Sequence, residues 1–280
     1  MIATVDSPET PLVASQYDLR VALGEKIADS DTSEALQTGD WGFVHSFTTG
    51  SAVDGPGIRL VGWLTGCQFR CVFCHNPDTW KMKNGMPVSL DRAVEVVNQY
   101  RHSLRTMKGG LTISGGEPLL QHRFVLRLFK TVRALGVHTA LDTNGSLHDR
   151  LSDEDLQSID LVMLGMKAFS PELHHRITGN DNEAVLEFAQ RLAALQRPMW
   201  IRFVLVPGLS DDLEEIGRMA DFAASLGNVK RIDLLPFHQL GRFKWERLGI
   251  DYQVRNTLPP HHEKIEQVAA RFRSVGLSVV

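Results

Sequence analysis

Cys67, Cys71 and Cys74 are the only cysteines in the 280 residues, and they fall within eight positions as C-x3-C-x2-C. Thiolate sulfur suits iron–sulfur clusters, and such clusters usually take four cysteines. Three in one tight group predict a [4Fe–4S] cluster with one iron left without a protein ligand, open to a small molecule. A structural zinc site is the other reading, with His75 or a distant histidine as fourth ligand. Cys74 and His75 are adjacent and poorly placed around one tetrahedral ion, and the chain has no second paired-ligand knuckle. The odd count and tight spacing exclude a disulfide framework and point to a reducing, cytoplasmic setting.

The residues around the cysteines read as strands and helices in alternation. Arg59 to Thr65 is apolar enough for a buried strand, and the cysteine loop follows it. Ser89 can cap a helix with Ala93, Val96, Val97 and Tyr100 on one face. Leu111 to Ser114 is a short strand between glycine pairs. The next helix carries Leu120, Phe124, Leu128, Val132 and Leu135, and ends near Gly136. Strands at Val137 to Leu141, Asp160 to Met166, Met199 to Val206 and Val229 to Leu235 continue the pattern. Helices are expected from Ser152, over 182–195, from Ser210 and over 260–275. Six such units require parallel strands joined by helical crossovers, in an open doubly wound sheet or a barrel. Polar residues cluster just after the strands, at the end where parallel α/β folds do their chemistry.

The cysteine triplet with Phe73 before its last member resembles the signature of the radical S-adenosylmethionine (SAM) superfamily. Asp54-Gly55-Pro56-Gly57-Ile58-Arg59, Gly66-Cys67 and Cys74-His75-Asn76 are similar to its glycyl-radical-activating family. The likeness runs from about residue 42 onward, through Asp142-Thr143-Asn144-Gly145, Trp200-Ile201-Arg202, Val206-Pro207-Gly208, Ser210-Asp211-Asp212 and Leu234-Leu235-Pro236-Phe237-His238. It implies a partial (β/α)6 barrel of TIM type with the cluster and SAM at its mouth. It also implies the reaction: one electron cleaves SAM to methionine and a 5′-deoxyadenosyl radical. That radical takes the α-hydrogen of a glycine in a protein substrate, here pyruvate formate-lyase, with reduced flavodoxin or ferredoxin as electron donor. A different glycyl-radical protein or a small molecule is the alternative substrate.

The resemblance also distributes roles. Cys67, Cys71 and Cys74 would hold the cluster, and Lys167 would pair with the SAM carboxylate or ribose. Gly115, Gly116 and Glu117 would meet the methionine amino group, where bare backbone permits close approach. Phe73, His75 and His238 would flank the adenine. Asp142 would bond a polar group of SAM or help bind a monovalent cation beside its carboxylate. The chain departs from the family at Leu164-Gly165-Met166-Lys167, where an aspartate commonly stands in place of Gly165. Any cation site loses that ligand, while backbone at Gly165 and Met166 can still line the pocket. Trp63 stands where an aliphatic residue or phenylalanine is usual. The chain has no further cysteines for additional clusters, which favours the pyruvate formate-lyase type.

Composition sets outer bounds. Hydrophobic residues make up 43% and charged residues 22%, as in ordinary globular proteins. Residues 1–40 hold eight acidic and two basic residues, leaving 41–280 at about +3 against −3 for the whole chain. That imbalance is too mild to suggest nucleic-acid binding. The division expected is a flexible extension over 1–40, with room for a short helix at Leu19 to Ile27, and a core domain over 41–280. No signal peptide and no apolar run of bilayer length is visible, so no membrane association is expected.

Overall fold

The structure, a computed structural model, describes residues 32–280; the short helix expected at Leu19 to Ile27 lies outside the described residues. Helix α1 (Thr32–Thr38) leads into strand β1 (Trp41–Ser51), which turns through the Asp54-Gly55-Pro56-Gly57 loop into β2 (Arg59–Leu64). After the cysteine loop come β3 (Met86–Ser89) and α2 (Leu90–Thr106), then β4 (Gly110–Gly115) and α3 (His122–Ala134). β5 (His138–Thr143), the one-turn α4 (Asp153–Leu156) and β6 (Leu161–Gly165) follow. Two helices, α5 (Pro171–Thr178) and α6 (Glu183–Ala194), precede β7 (Met199–Leu205). α7 (Leu213–Ser225), β8 (Val229–Pro236), α8 (Arg242–Leu248) and α9 (His262–Arg273) complete the order.

The strands form one sheet in the order β3-β1-β2-β4-β5-β6-β7-β8, parallel from β2 to β8 and antiparallel at β1 and β3. All six expected parallel strands are present, and the sheet stays open, as a partial barrel does. β1 and β3 were not expected. The β1 ladder slips register at two places, and its far half is exposed, so its sequence lacks a clean period of two. On the other edge, residues 278–280 lie along β8 through bonds such as Leu234 N–H to the Val280 carbonyl (2.9 Å), covering an otherwise unpaired strand.

Helix caps follow the chemistry of their sequence. Ser89 Oγ accepts the Arg92 amide, and Ser152 with Asp155 forms a reciprocal capping box. The helix expected from Ser210 starts at Leu213 instead, with Asp212 as its cap. Ser210 is held in the loop, accepting the Val206 amide (2.8 Å) and donating to the Val204 carbonyl (2.7 Å).

Alternation across the sheet separates two environments. Outward residues such as Leu141, Leu164, Ile201 and Phe203 join the helices in the main core. On the inner face Ala140, Leu161 and Met163 pack with Trp200. The next inward residues toward the strand ends are Ser114, Asp142, Gly165 and Arg202, and all four border the cavity at the sheet's mouth. A third cluster, including Phe73, Ile177, Phe237, Trp245 and Tyr252, lies under the cysteine loop.

Candidate functional site

The three cysteines face one cavity of about 260 Å³ at the C-terminal ends of the strands. Their loop is fixed on each side by backbone bonds. Gly66 N–H donates to Thr79 (2.7 Å) and Cys67 N–H to Trp80 (3.1 Å). Arg70 and Val72 donate to Thr178 and Ile177 at the end of α5, both at 2.9 Å. The Glu117 amide donates back to the Gly66 carbonyl at 2.7 Å. A Cβ on Gly116 would sit 2.2 Å from that carbonyl oxygen, so only glycine lets the end of β4 approach the loop this closely.

From the C-terminal side α8 holds the last cysteine. Trp245 Nε1 donates to the Cys74 carbonyl (2.8 Å), and Lys244 Nζ bonds Asn76 Oδ1 (2.9 Å) and Asp78 Oδ2 (3.0 Å). Asp78 also bonds His45 Nε2 at 2.9 Å, tying α8 to the cysteine loop and to β1.

Electrostatics favour negatively charged ligands. Burial pushes the thiols up, Cys74 to about 12, with the nearby Cys71 adding to the rise. Such thiols ionise when a bound metal supplies compensating positive charge. Two cationic side chains, Lys167 and Arg202, line the same cavity. Among the described residues no group of three or more Cys, His, Asp or Glu is gathered tightly enough for a single metal ion. Three thiolate donors bordering one cavity are the donor type that suits an iron–sulfur cluster.

Phe73, His75, Gly115, Gly116, Asp142, Gly165 and Lys167 line the cavity. Glu117, Met166 and His238 do not. Glu117 is fully buried behind the glycines, where Oε1 accepts from Thr143 Oγ1 (2.7 Å) and Leu119 N (2.9 Å), and Oε2 from Asn144 N (2.8 Å). It holds the ends of β4 and β5 together rather than meeting a ligand. Met166 packs in the main core. His238 stacks on His75 with ring centroids 4.2 Å apart, and its carbonyl lies 3.2 Å from His75 Nε2. It orients the cavity-facing ring from outside. Burial, and then His238, lower the pKa of His75, which favours the neutral ring.

Sequence reasoning missed Trp80, Asn144, Ser114 and Arg202 as cavity residues. Arg202 Nη1 binds Asp142 Oδ2 at 2.6 Å, and Ser114 Oγ donates to the same oxygen at 2.7 Å. Asp54 lies 3.5 Å from Arg202 Nη2. Asp142 is the first cause, ahead of the opposing effect of burial, that holds Arg202 above its ordinary value. At Gly165 a Cβ would stand 2.9 Å from Lys167 Nζ, so the ammonium occupies the space a side chain there would take. The contacts of Arg202 follow from strand register, which the sequence alone does not give. Gly165 pairs with Arg202, and Arg202 with Asp233, on neighbouring strands.

An open parallel sheet that gathers three cysteines, two cations and bare glycine backbone at its strand ends defines a cluster-dependent enzyme of the SAM-binding kind. The Radical SAM superfamily profile matches residues 63–223. The pyruvate formate-lyase 1-activating enzyme of Escherichia coli (strain K12) is 42% identical over 241 residues, 85% of this chain and 98% of that protein. The pyruvate formate-lyase-activating enzyme of Staphylococcus epidermidis is 42% identical over 233 residues, covering 81% and 93%. A crystal structure of a domain of pyruvate-formate lyase-activating enzyme from Bacteroides vulgatus ATCC 8482 superposes with a TM-score of 0.52 at 26% identity. It covers 61% of this chain and 98% of that domain.

The chain belongs to the radical SAM superfamily and, within it, to the family of pyruvate formate-lyase-activating enzymes. Membership implies a [4Fe–4S] cluster and SAM as cofactors. Among the described residues no helix is long and apolar enough to cross a membrane.

Proposed function

We propose that this chain activates pyruvate formate-lyase by generating a radical on one of its glycines, with SAM as the radical source. The observation that carries the reading is the cysteine triplet facing one cavity with Lys167 and Arg202, in a chain 42% identical to activating enzymes over most of its length. When bound, the cluster and SAM supply a one-electron cleavage that yields a carbon radical able to abstract a glycine α-hydrogen.

The chain's own residues hold and orient these groups. Cys67, Cys71 and Cys74 would hold the cluster, and SAM would bind beside it in the same cavity. The backbone of Gly115 and Gly116 accepts the amino group at close range, and Glu117 keeps that backbone in place from behind. Lys167 neutralises the carboxylate, with its ammonium lying over Gly165. Phe73 and His75 flank the adenine, and His238 holds the His75 ring. Arg202 and Ser114 fix Asp142.

No monovalent cation forms part of this reading. One Asp142 oxygen is already bonded to Arg202, Gly165 brings no carboxylate, and Lys167 fills the adjoining space. SAM affinity is therefore expected to be equal in potassium and choline buffers. A several-fold loss in choline would restore the cation.

The electron comes from a reduced one-electron carrier, flavodoxin or ferredoxin. The division of the chain is an extension over 1–40, whose last residues, in α1, are bonded to α3 through Arg123 and Arg127, and a catalytic domain over 41–280, working in the cytoplasm. The test is an anaerobic incubation of the reduced, cluster-loaded chain with SAM and pyruvate formate-lyase. A glycyl doublet on the partner in electron paramagnetic resonance is expected. SAM cleavage with a silent partner would move the chain to another substrate, and absence of cleavage would remove the enzymatic reading.

A further inference from the structure

Asn144, just past the end of β5, borders the cavity, and its side chain is held by its oxygen alone. Oδ1 accepts the Ser146 amide (3.0 Å), the Ser146 hydroxyl (2.8 Å) and Gln68 Nε2 (3.2 Å). A backbone N–H can only donate, so the atom facing it is the oxygen; a reversed amide would set two donors against each other. The NH2 group is thereby turned away from the Asn144–Ser146 turn. Among the described residues Nδ2 has no hydrogen-bond partner, yet it is not sealed from solvent. Asn144 is only 9% exposed, and the cavity is the open space beside it. A fixed, unpaired N–H donor therefore faces the cavity.

The backbone is as firmly placed. Asn144 N–H donates to Glu117 Oε2 (2.8 Å), the carboxyl behind Gly115 and Gly116 at the end of β4. Lys167 follows β6, on the other side of β5. Asn144 thus stands between the glycines proposed for the amino group of SAM and the lysine proposed for its carboxylate. Of the groups SAM presents, the carboxylate is the anionic acceptor. We infer that Asn144 Nδ2 donates to the SAM carboxylate, sharing it with Lys167, and so selects ligands that carry that group. The Asp142 carboxylate borders the same space and repels a second one, so a donor beside it offsets that cost. Gln68 lies next to Cys67, so the loop that carries the first cysteine also helps to orient the amide.

The inference rests on the proposed binding of SAM in this cavity, and the experiment separates the two. Asn144→Asp keeps an oxygen for the Ser146 amide and puts a carboxylate oxygen where the donor stood. Cluster-loaded, unreduced wild type and variant are compared by anaerobic equilibrium dialysis with SAM and with decarboxylated SAM. The second probe keeps the amino group, sulfonium, ribose and adenine. SAM should bind the variant about tenfold or more weakly, since a hydrogen bond to a charged group is lost. Decarboxylated SAM, which is more cationic, should bind the variant as well as wild type or better. Unchanged SAM affinity, or an equal loss with both probes, overturns the inference. SAM that fails to bind wild type instead removes the reading beneath it. Should the variant not load, or the decarboxylated probe not bind, a crystal structure of loaded wild type with SAM decides. Nδ2 within about 3.2 Å of a carboxylate oxygen supports the bond, and any longer separation overturns it.

Discussion

Glu117 shows how one buried carboxyl can shape a cavity it never touches. Burial pushes its pKa up to about 7, against three bonds from Thr143, Leu119 and Asn144 that pull it down. Its folded value lies above the ordinary 4.5, so the folded chain holds a proton there that the unfolded chain has released. The contribution of this group to stability is thus greatest below about pH 4.5, and it declines as pH rises toward about 7. Glu117→Gln cannot ionise, and urea midpoints should lose that part of their decline between those values. An identical slope in variant and wild type would contradict the account. The substituted amide would also turn an N–H toward the Asn144 backbone N–H, so the variant is expected to be less stable by about 1–3 kcal/mol.

Among elements, the cysteine loop depends on α8. Lys244 reaches a carboxylate, Asp78, that is only 1% exposed. Burial alone would raise the Asp78 carboxyl, but the His45 bond and the Lys244 ammonium outweigh it and hold it below its ordinary 3.8. Its contribution is therefore present above about pH 3.8 and is lost as pH falls through the lowered folded value. Lys244→Met keeps the stem and removes the ammonium. It should destabilise the chain at neutral pH by about 1.5–3 kcal/mol, the range for hydrogen bonds to charged groups. Urea unfolding at pH 7 and pH 3 checks this: the gap from wild type should narrow in acid, and a constant gap would argue against the pair.

The same scale explains what could be read from the sequence. The six parallel strands announced themselves because buried strands form short apolar runs between turn residues, and their crossover helices carry a clear 3.6-residue period. β1 did not, since its bulged ladder and half-exposed length blur any period. The cysteines, Gly115 and Lys167 were legible because a motif fixes both type and place. Arg202 carried no legible role, since its partner Asp142 is set by strand register. Glu117 illustrates the opposite failure: it stands in the motif, but its side chain turns away from the cavity into the β4–β5 junction.

Across the whole molecule, an open sheet places every parallel strand end at one mouth, and two independent supports, α5 and α8, fix the cysteine loop there. The central claim is that three cysteines hold three irons of a four-iron cluster and leave the fourth for SAM. Mössbauer spectroscopy of 57Fe-loaded, oxygen-free chain tests it most directly, with and without SAM. The account predicts an iron–sulfide cluster in which one iron of four changes its isomer shift and quadrupole splitting on SAM addition. Four irons that all ignore SAM, or iron without sulfide, would contradict it.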